Sequence, residues 1–180
     1  LLHQGFALGN SHFNNICNVI AKESGSVGLS ASSNNIIKEN ELGSLIYPSQ
    51  IWVMEGSNNN TIEDNIISGL QGDEVSCTGI RSLYSYNNIY RNNTLTGFRV
   101  HILLSYSNGN IVNGNDISGM REFEEENGGG VVIFNGNNNT VINNKIDSVS
   151  DGGIIVFGAS CNSLIQSNII TRTNHGIEVY

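Results

Sequence analysis

The chain has 180 residues, enough for one domain with a buried core, and a formal net charge of −8 with only 8 Lys plus Arg. That balance argues against a nucleic-acid partner, because neutralising phosphates needs clustered cations. No apolar run approaches the ~20 residues of a membrane span, and three cysteines at unrelated spacings, Cys17, Cys77 and Cys161, form neither a disulfide framework nor a metal pattern.

The predicted elements follow one order, repeated along the chain. A short strand opens on or near Gly, an Asn-bearing turn follows, and two brief aliphatic strands close the unit. The leading strands are 5–8, 28–31, 50–53, 79–81, 99–102, 130–133, 153–156 and 176–179. The segments behind them carry a fixed skeleton: Asn, an aliphatic two residues on, a second Asn three further, and an aliphatic two beyond that. It stands complete in Asn35-Ile37-Asn40-Leu42, Asn60-Ile62-Asn65-Ile67, Asn88-Tyr90-Asn93-Leu95, Asn110-Val112-Asn115-Ile117 and Asn139-Val141-Asn144-Ile146. Ser163-Ile165-Asn168-Ile170 keeps it with Ser first, and Phe13-Asn15-Asn18-Ile20 reads as a degenerate first copy.

A motif returning about every 25 residues is the mark of a stacked solenoid, since one copy is too short to bury its own apolar face. Aliphatics two residues apart on β-branched runs have strand periodicity, and no 3.6-residue stripe persists. Three short strands per turn predict a single-domain, all-β parallel β-helix over 1–180, with about seven to eight coils. An Asn at a bend tolerates a left-handed backbone and bonds local backbone groups. The inner asparagines, Asn18, Asn40, Asn65, Asn93, Asn115, Asn144 and Asn168, are therefore expected to form a hydrogen-bonded ladder along the axis.

This repeat resembles the right-handed β-helix repeat of the pectin-lyase-like superfamily. It is most similar to the carbohydrate-binding and sugar-hydrolase branch, which includes periplasmic copper-maturation proteins, mannuronan epimerases and many surface proteins. The resemblance covers nearly the whole chain. It implies a right-handed helix acting on or binding polysaccharide outside the cytoplasm: extracellular, at the cell surface or in the periplasm. Fold alone does not fix the activity.

Insertions fall between the third strand of one coil and the Gly-led strand of the next, at 43–50, 69–78 and 119–130. Such loops gather on one side of a solenoid and commonly carry function. Asp73, Glu74, Glu125 and Glu126 lie there and are weak calcium candidates; no Asp-x-Asp-x-Asp spacing supports them, and no cofactor is otherwise expected.

Strict alternation along the Gly-led strands turns Ser30, Trp52, Arg81, His101, Val132, Ile155 and Glu178 outward. Arg81 and His101 then sit on successive coils as neighbours. In the enzymes of the resemblance an Arg neutralises a uronate carboxylate and a His or Tyr moves the C5 proton, so Arg81 and His101 are the leading catalytic candidates, with Tyr84 in the adjoining turn. The Tyr-Gly-Phe-Asp-Pro-His string of the epimerases is absent. Two strings resemble polygalacturonase segments, Ser150-Asp151-Gly152-Gly153-Ile154 and Asn174-His175-Gly176-Ile177, which adds Asp151 and His175 as secondary catalytic candidates. Trp52, Tyr84 and Glu178 are the expected substrate-binding residues.

A second outward column is expected at Met54, Leu83, Leu103, Phe134, Phe157 and Tyr180. Exposed apolar stripes usually mark an interface, and both ends of the sequence fall on strands. Self-association, or capping by flanking segments of a longer chain, is the corresponding expectation. The polysaccharide reading has a non-catalytic alternative, a structural, adhesion or surface-layer rod.

Overall fold

The computed structural model describes residues 6–22, 26–44, 49–69, 78–119 and 128–180. The acidic loop candidates Asp73, Glu74, Glu125 and Glu126, and Cys77, lie outside them. Every regular element among the described residues is a strand, and the strands form three parallel sheets of eight, seven and seven. The eight-stranded sheet holds the Gly-led strands, Phe6–Gly9, Val27–Ser30, Ser49–Met54, Thr78–Leu83, Val100–Ser105, Gly129–Phe134, Gly152–Phe157 and His175–Val179. Each strand pairs with its counterpart one coil away, as expected of a right-handed parallel β-helix.

The core is a set of stacked aliphatic columns. In the second sheet Ile37, Ile62, Tyr90, Val112 and Val141 stand in register. In the third, Leu42, Ile67, Leu95, Ile117 and Ile146 do the same. Ile51, Ile80, Ile102, Val131 and Ile154 supply the inward face of the first. All these side chains are buried. Each buried aliphatic contributes about 1.5–3 kcal/mol, so the columns hold the coils together where no single coil could fold.

Asparagines join the corners in two columns. The inner one runs Asn40, Asn65, Asn93, Asn115, Asn144 and Asn168, with each side-chain amide donating to the Oδ1 of the next at 2.9–3.0 Å. The backbone amide of each donor residue meets the same oxygen. In the outer column, Asn14, Asn35, Asn60, Asn88, Asn110 and Asn139, the backbone amide of each donates to the Oδ1 of the next at the preceding corner.

Asn18 stands outside the inner column. The oxygen of Asn40 takes the backbone amide of Val19 instead, at 3.0 Å, and Asn18 is exposed. The first copy is shifted by one residue, running Asn14-Ile16-Val19-Ala21. Asn18 occupies the position just before the column, aligned with Glu39, Asp64, Asn92, Gly114, Asn143 and Ser167, and each of these seven has positive φ. One left-handed residue turns the chain between two strands, and Asn or Gly does this at least cost. Asn59, Asn92 and Asn138, each followed two residues on by Thr, are turn residues of this kind.

Candidate functional site

The outward face of the Gly-led sheet is set by pairing register. Gly28, Trp52, Arg81, Leu103, Val132, Ile155 and Glu178 align across seven strands. Arg81 packs its guanidinium carbon 5.5 Å from the Trp52 ring centre, a cation–π distance. Trp52 donates its indole N–H to the Ser49 carbonyl at 2.9 Å. Ser30, expected in this column, lies two positions on, paired with Met54.

His101 does not join Arg81; Leu103 takes that place. The His101 side chain is fully buried at the start of its strand. Its Nδ1 lies 3.3 Å from the Gly129 carbonyl and its Nε2 3.2 Å from the Ser118 carbonyl, with Phe98 edge-on at 5.9 Å. Burial pushes its pKa down to about 4, against the carbonyl acceptors that favour the protonated ring. The imidazole meets backbone carbonyls at a corner and faces no groove. Alternation failed here because the pairing register skips His101, between the paired Val100 and Ile102, as it skips Gly79 and Gly130 on the neighbouring strands.

Beside the Trp52 column runs a row of aromatic rings. Tyr84 stacks on Tyr106 at 5.0 Å, Tyr106 meets Phe134 edge-to-face at 5.2 Å, and Phe134 stacks on Phe157 at 4.7 Å. Register puts Ser105, not Leu103, beside Leu83 and Phe134, so Leu103 belongs to the Trp52 column. Tyr84 and Tyr106 both have φ of 50°. A bulky residue held there is strained by about 1–2 kcal/mol, at a corner that is left-handed also at Asn10, Ala31, Glu55, Asn135 and Gly158.

The row ends at a cleft of about 510 Å³ lined by Val132, Asp151, Ile155, Phe157, His175, Glu178 and Tyr180, among others. The two secondary candidates meet in it. The His175 backbone amide donates to the Asp151 carbonyl at 3.1 Å, which places their side chains together. His175 Nδ1 is 3.8 Å from Asp151 Oδ1 and in contact with Glu178 Oε1. Tyr180 donates its hydroxyl to the other Glu178 oxygen at 2.7 Å, and this contact raises the Tyr180 pKa. One ligand atom from each of Asp151, His175 and Glu178 lies within 4.8 Å of the others. Glycine makes the room: Gly152 pairs with His175, and a Cβ there would come within 2.5 Å of Ile155 and 3.6 Å of a Glu178 oxygen.

The His175–Glu178 contact was not legible from spacing, because residues three apart on a strand face opposite ways. Glu178 was visible only as an outward residue. The part of the row formed by Phe134 and Phe157 was visible as an apolar column, but its continuation through Tyr106 depends on ring geometry.

These features define a right-handed parallel β-helix with one decorated sheet and a lined cleft near its last described strand. The chain belongs to the NosD family, described as periplasmic copper-binding protein, which it matches over residues 2–179. Among solved structures it resembles a Parabacteroides merdae protein provisionally assigned as a glycosyl hydrolase, at 14% identity and a TM-score of 0.65, covering 87% of this chain and 82% of that one. It also resembles the Streptococcus pneumoniae surface protein and adhesin PfbA, at 12% identity and a TM-score of 0.52, covering 97% and 68%. At these identities the likeness is one of fold. No curated protein matched the chain in sequence. The periplasmic family agrees with the extracytoplasmic setting expected above. No helix among the described residues is long and apolar enough to cross a membrane.

The family description runs against the expectation of no cofactor. Copper(I) favours thiolate and thioether ligands; Cys17, Met54 and Cys161 stand on separate coils. Copper(II) accepts imidazole and carboxylate oxygen, and Asp151, His175 and Glu178 are the one such group among the described residues. Among the described residues the donor set therefore fits the oxidised ion and not the reduced one.

Proposed function

We propose that this protein binds polysaccharide outside the cytoplasm, along the Gly-led sheet, from the Tyr84–Tyr106 pair to the cleft at Asp151, His175 and Glu178. The observation that carries this reading is the continuous aromatic row, whose rings pack face to face or edge to face. A tyrosine offers an apolar body with a polar handle, suited to sugar rings and their hydroxyl groups. Tyr84 and Tyr106 are exposed at 51% and 39% and Tyr180 at 77%, so a chain laid along the sheet reaches all three. The low Lys and Arg content and net charge of −8 favour neutral over acidic glycans.

Binding fits the cleft better than inverting hydrolysis does. That mechanism keeps its two carboxyl groups about 6.5–9.5 Å apart to hold a water, whereas the ligand atoms of Asp151 and Glu178 lie within 4.8 Å of each other, with an imidazole beside them. The test is affinity electrophoresis in neutral and acidic polysaccharides, with reducing ends and unsaturated products measured in parallel. Retardation by a neutral polysaccharide, lost in Tyr84→Ala/Tyr106→Ala, is the expected result. Absence of retardation, or retardation indifferent to both tyrosines, overturns the reading; product release would replace binding by catalysis.

A further inference from the structure

We propose that Asp151, His175 and Glu178 form a binding site for a borderline divalent transition-metal ion, with copper(II) the tightest-bound. The inference is separate from the polysaccharide reading, since an ion can occupy these groups whether or not a glycan lies on the sheet.

Three observations carry it. The three potential ligand atoms, one from each side chain, lie within 4.8 Å of one another, a spacing that modest side-chain movement closes around one ion. Two come from one strand, His175–Val179, and Asp151 from the corner before its neighbour, fixed by the Gly152–His175 pairing and the His175-to-Asp151 backbone hydrogen bond. They open into a cleft whose floor at Gly152 has no side chain. Asp151 and Glu178 have side chains only 20% and 11% exposed, while His175 is 61% exposed. The two carboxylates are thus held in place and the imidazole can swing onto an entering ion.

The donor chemistry selects the metal. One nitrogen and two carboxylate oxygens suit copper(II) and zinc(II); calcium takes six to eight oxygens, and magnesium requires a near-ideal octahedron of them. The hydrogen bond from Tyr180 to Glu178 has the form of an outer-shell contact, which orients a ligand and tunes its basicity. Without metal, His175 Nδ1 and Glu178 Oε1 are already in contact. An entering ion displaces any proton shared there, because ligands bind metal in their deprotonated form.

The experiment is a titration of the full chain with copper(II), followed by desalting, metal analysis and electron paramagnetic resonance. The expected result is one equivalent retained, with a nitrogen coupling from one imidazole. His175→Ala should remove that coupling and weaken binding by about tenfold or more, and Glu178→Gln and Asp151→Asn should also weaken it, with circular dichroism unchanged. Affinity should fall in the order copper(II), zinc(II), calcium. The exposed His12, in the turn between the strands Phe6–Gly9 and Asn15–Cys17, is the control: His12→Ala should change nothing. Sub-stoichiometric copper, a coupling that survives His175→Ala, or one lost in His12→Ala overturns the site. Copper retained by a protein that no polysaccharide retards would overturn only the glycan reading.

Discussion

Asn65 and Asn93 share one oxygen: Oδ1 of Asn93 takes the side-chain amide of Asn65 at 2.9 Å and its backbone amide at 3.1 Å. The Asn65 side chain also donates to the Ile37 carbonyl on the coil before it, at 3.0 Å. One side chain therefore ties three successive coils. Removing it leaves buried groups unpaired, so Asn65→Ala and Asn115→Ala should each cost about 1–3 kcal/mol. Asn18→Gly, at an exposed left-handed turn, should stay within about 0.5 kcal/mol of the parent. Denaturant midpoints of the three variants check the contrast; equal midpoints would remove the column from the stability account.

Stability should decline in mild acid through His101. Burial holds its folded pKa at about 4, below the unfolded value of about 6.5, so the unfolded chain takes up a proton first as pH falls. The contribution is complete above about pH 6.5 and drains between there and about 4, with roughly 2 kcal/mol gone by pH 5. Urea midpoints at pH 7 and pH 5 should separate for the parent. They should lie closer together for His101→Gln, which is already weaker at pH 7.

Backbone strain and binding should come apart at the tyrosine pair. Tyr84→Asn and Tyr106→Asn place a residue that tolerates the left-handed region where a ring is now held. Each should leave stability unchanged or raise it by up to about 1 kcal/mol, while weakening retardation by polysaccharide. Thermal melting and affinity electrophoresis on the same samples read both effects.

Gly153→Ala should be among the most damaging single changes. A Cβ there would lie 2.4 Å from Ile170 Cγ2 and 2.8 Å from the Gly176 carbonyl. One obstacle is a core side chain and the other is backbone, so neither yields cheaply, and a loss of about 1–3 kcal/mol is expected. Gly9→Ala, with nothing within 4 Å of its Cβ, is the matched control in a denaturant melt.

The sequence by itself determined the β-helix. Aliphatics two residues apart, Asn at the corners and Gly at the strand starts all specify the same coil, and a local pattern repeated along the chain needs no distant partner to be read. It showed Asp151, His175 and Glu178 as separate candidates, and Trp52 and Arg81 as neighbours on one face. Tertiary structure alone decided the register. The step between corresponding corners varies from 21 residues, Asn14 to Asn35, to 29, Asn110 to Asn139, and stacked aliphatics align the coils whatever the count between them. Slips of one or two residues are invisible in a motif search yet change what a side chain faces. Such slips moved Asn18 out of its column and put Leu103 beside Arg81, while a break in the pairing register between Val100 and Ile102 accompanies the burial of His101. The meeting of His175 with Asp151 and Glu178 follows from the same cause, because neighbours in this fold are chosen by the packing of the core, one coil away in space and more than twenty residues away in sequence.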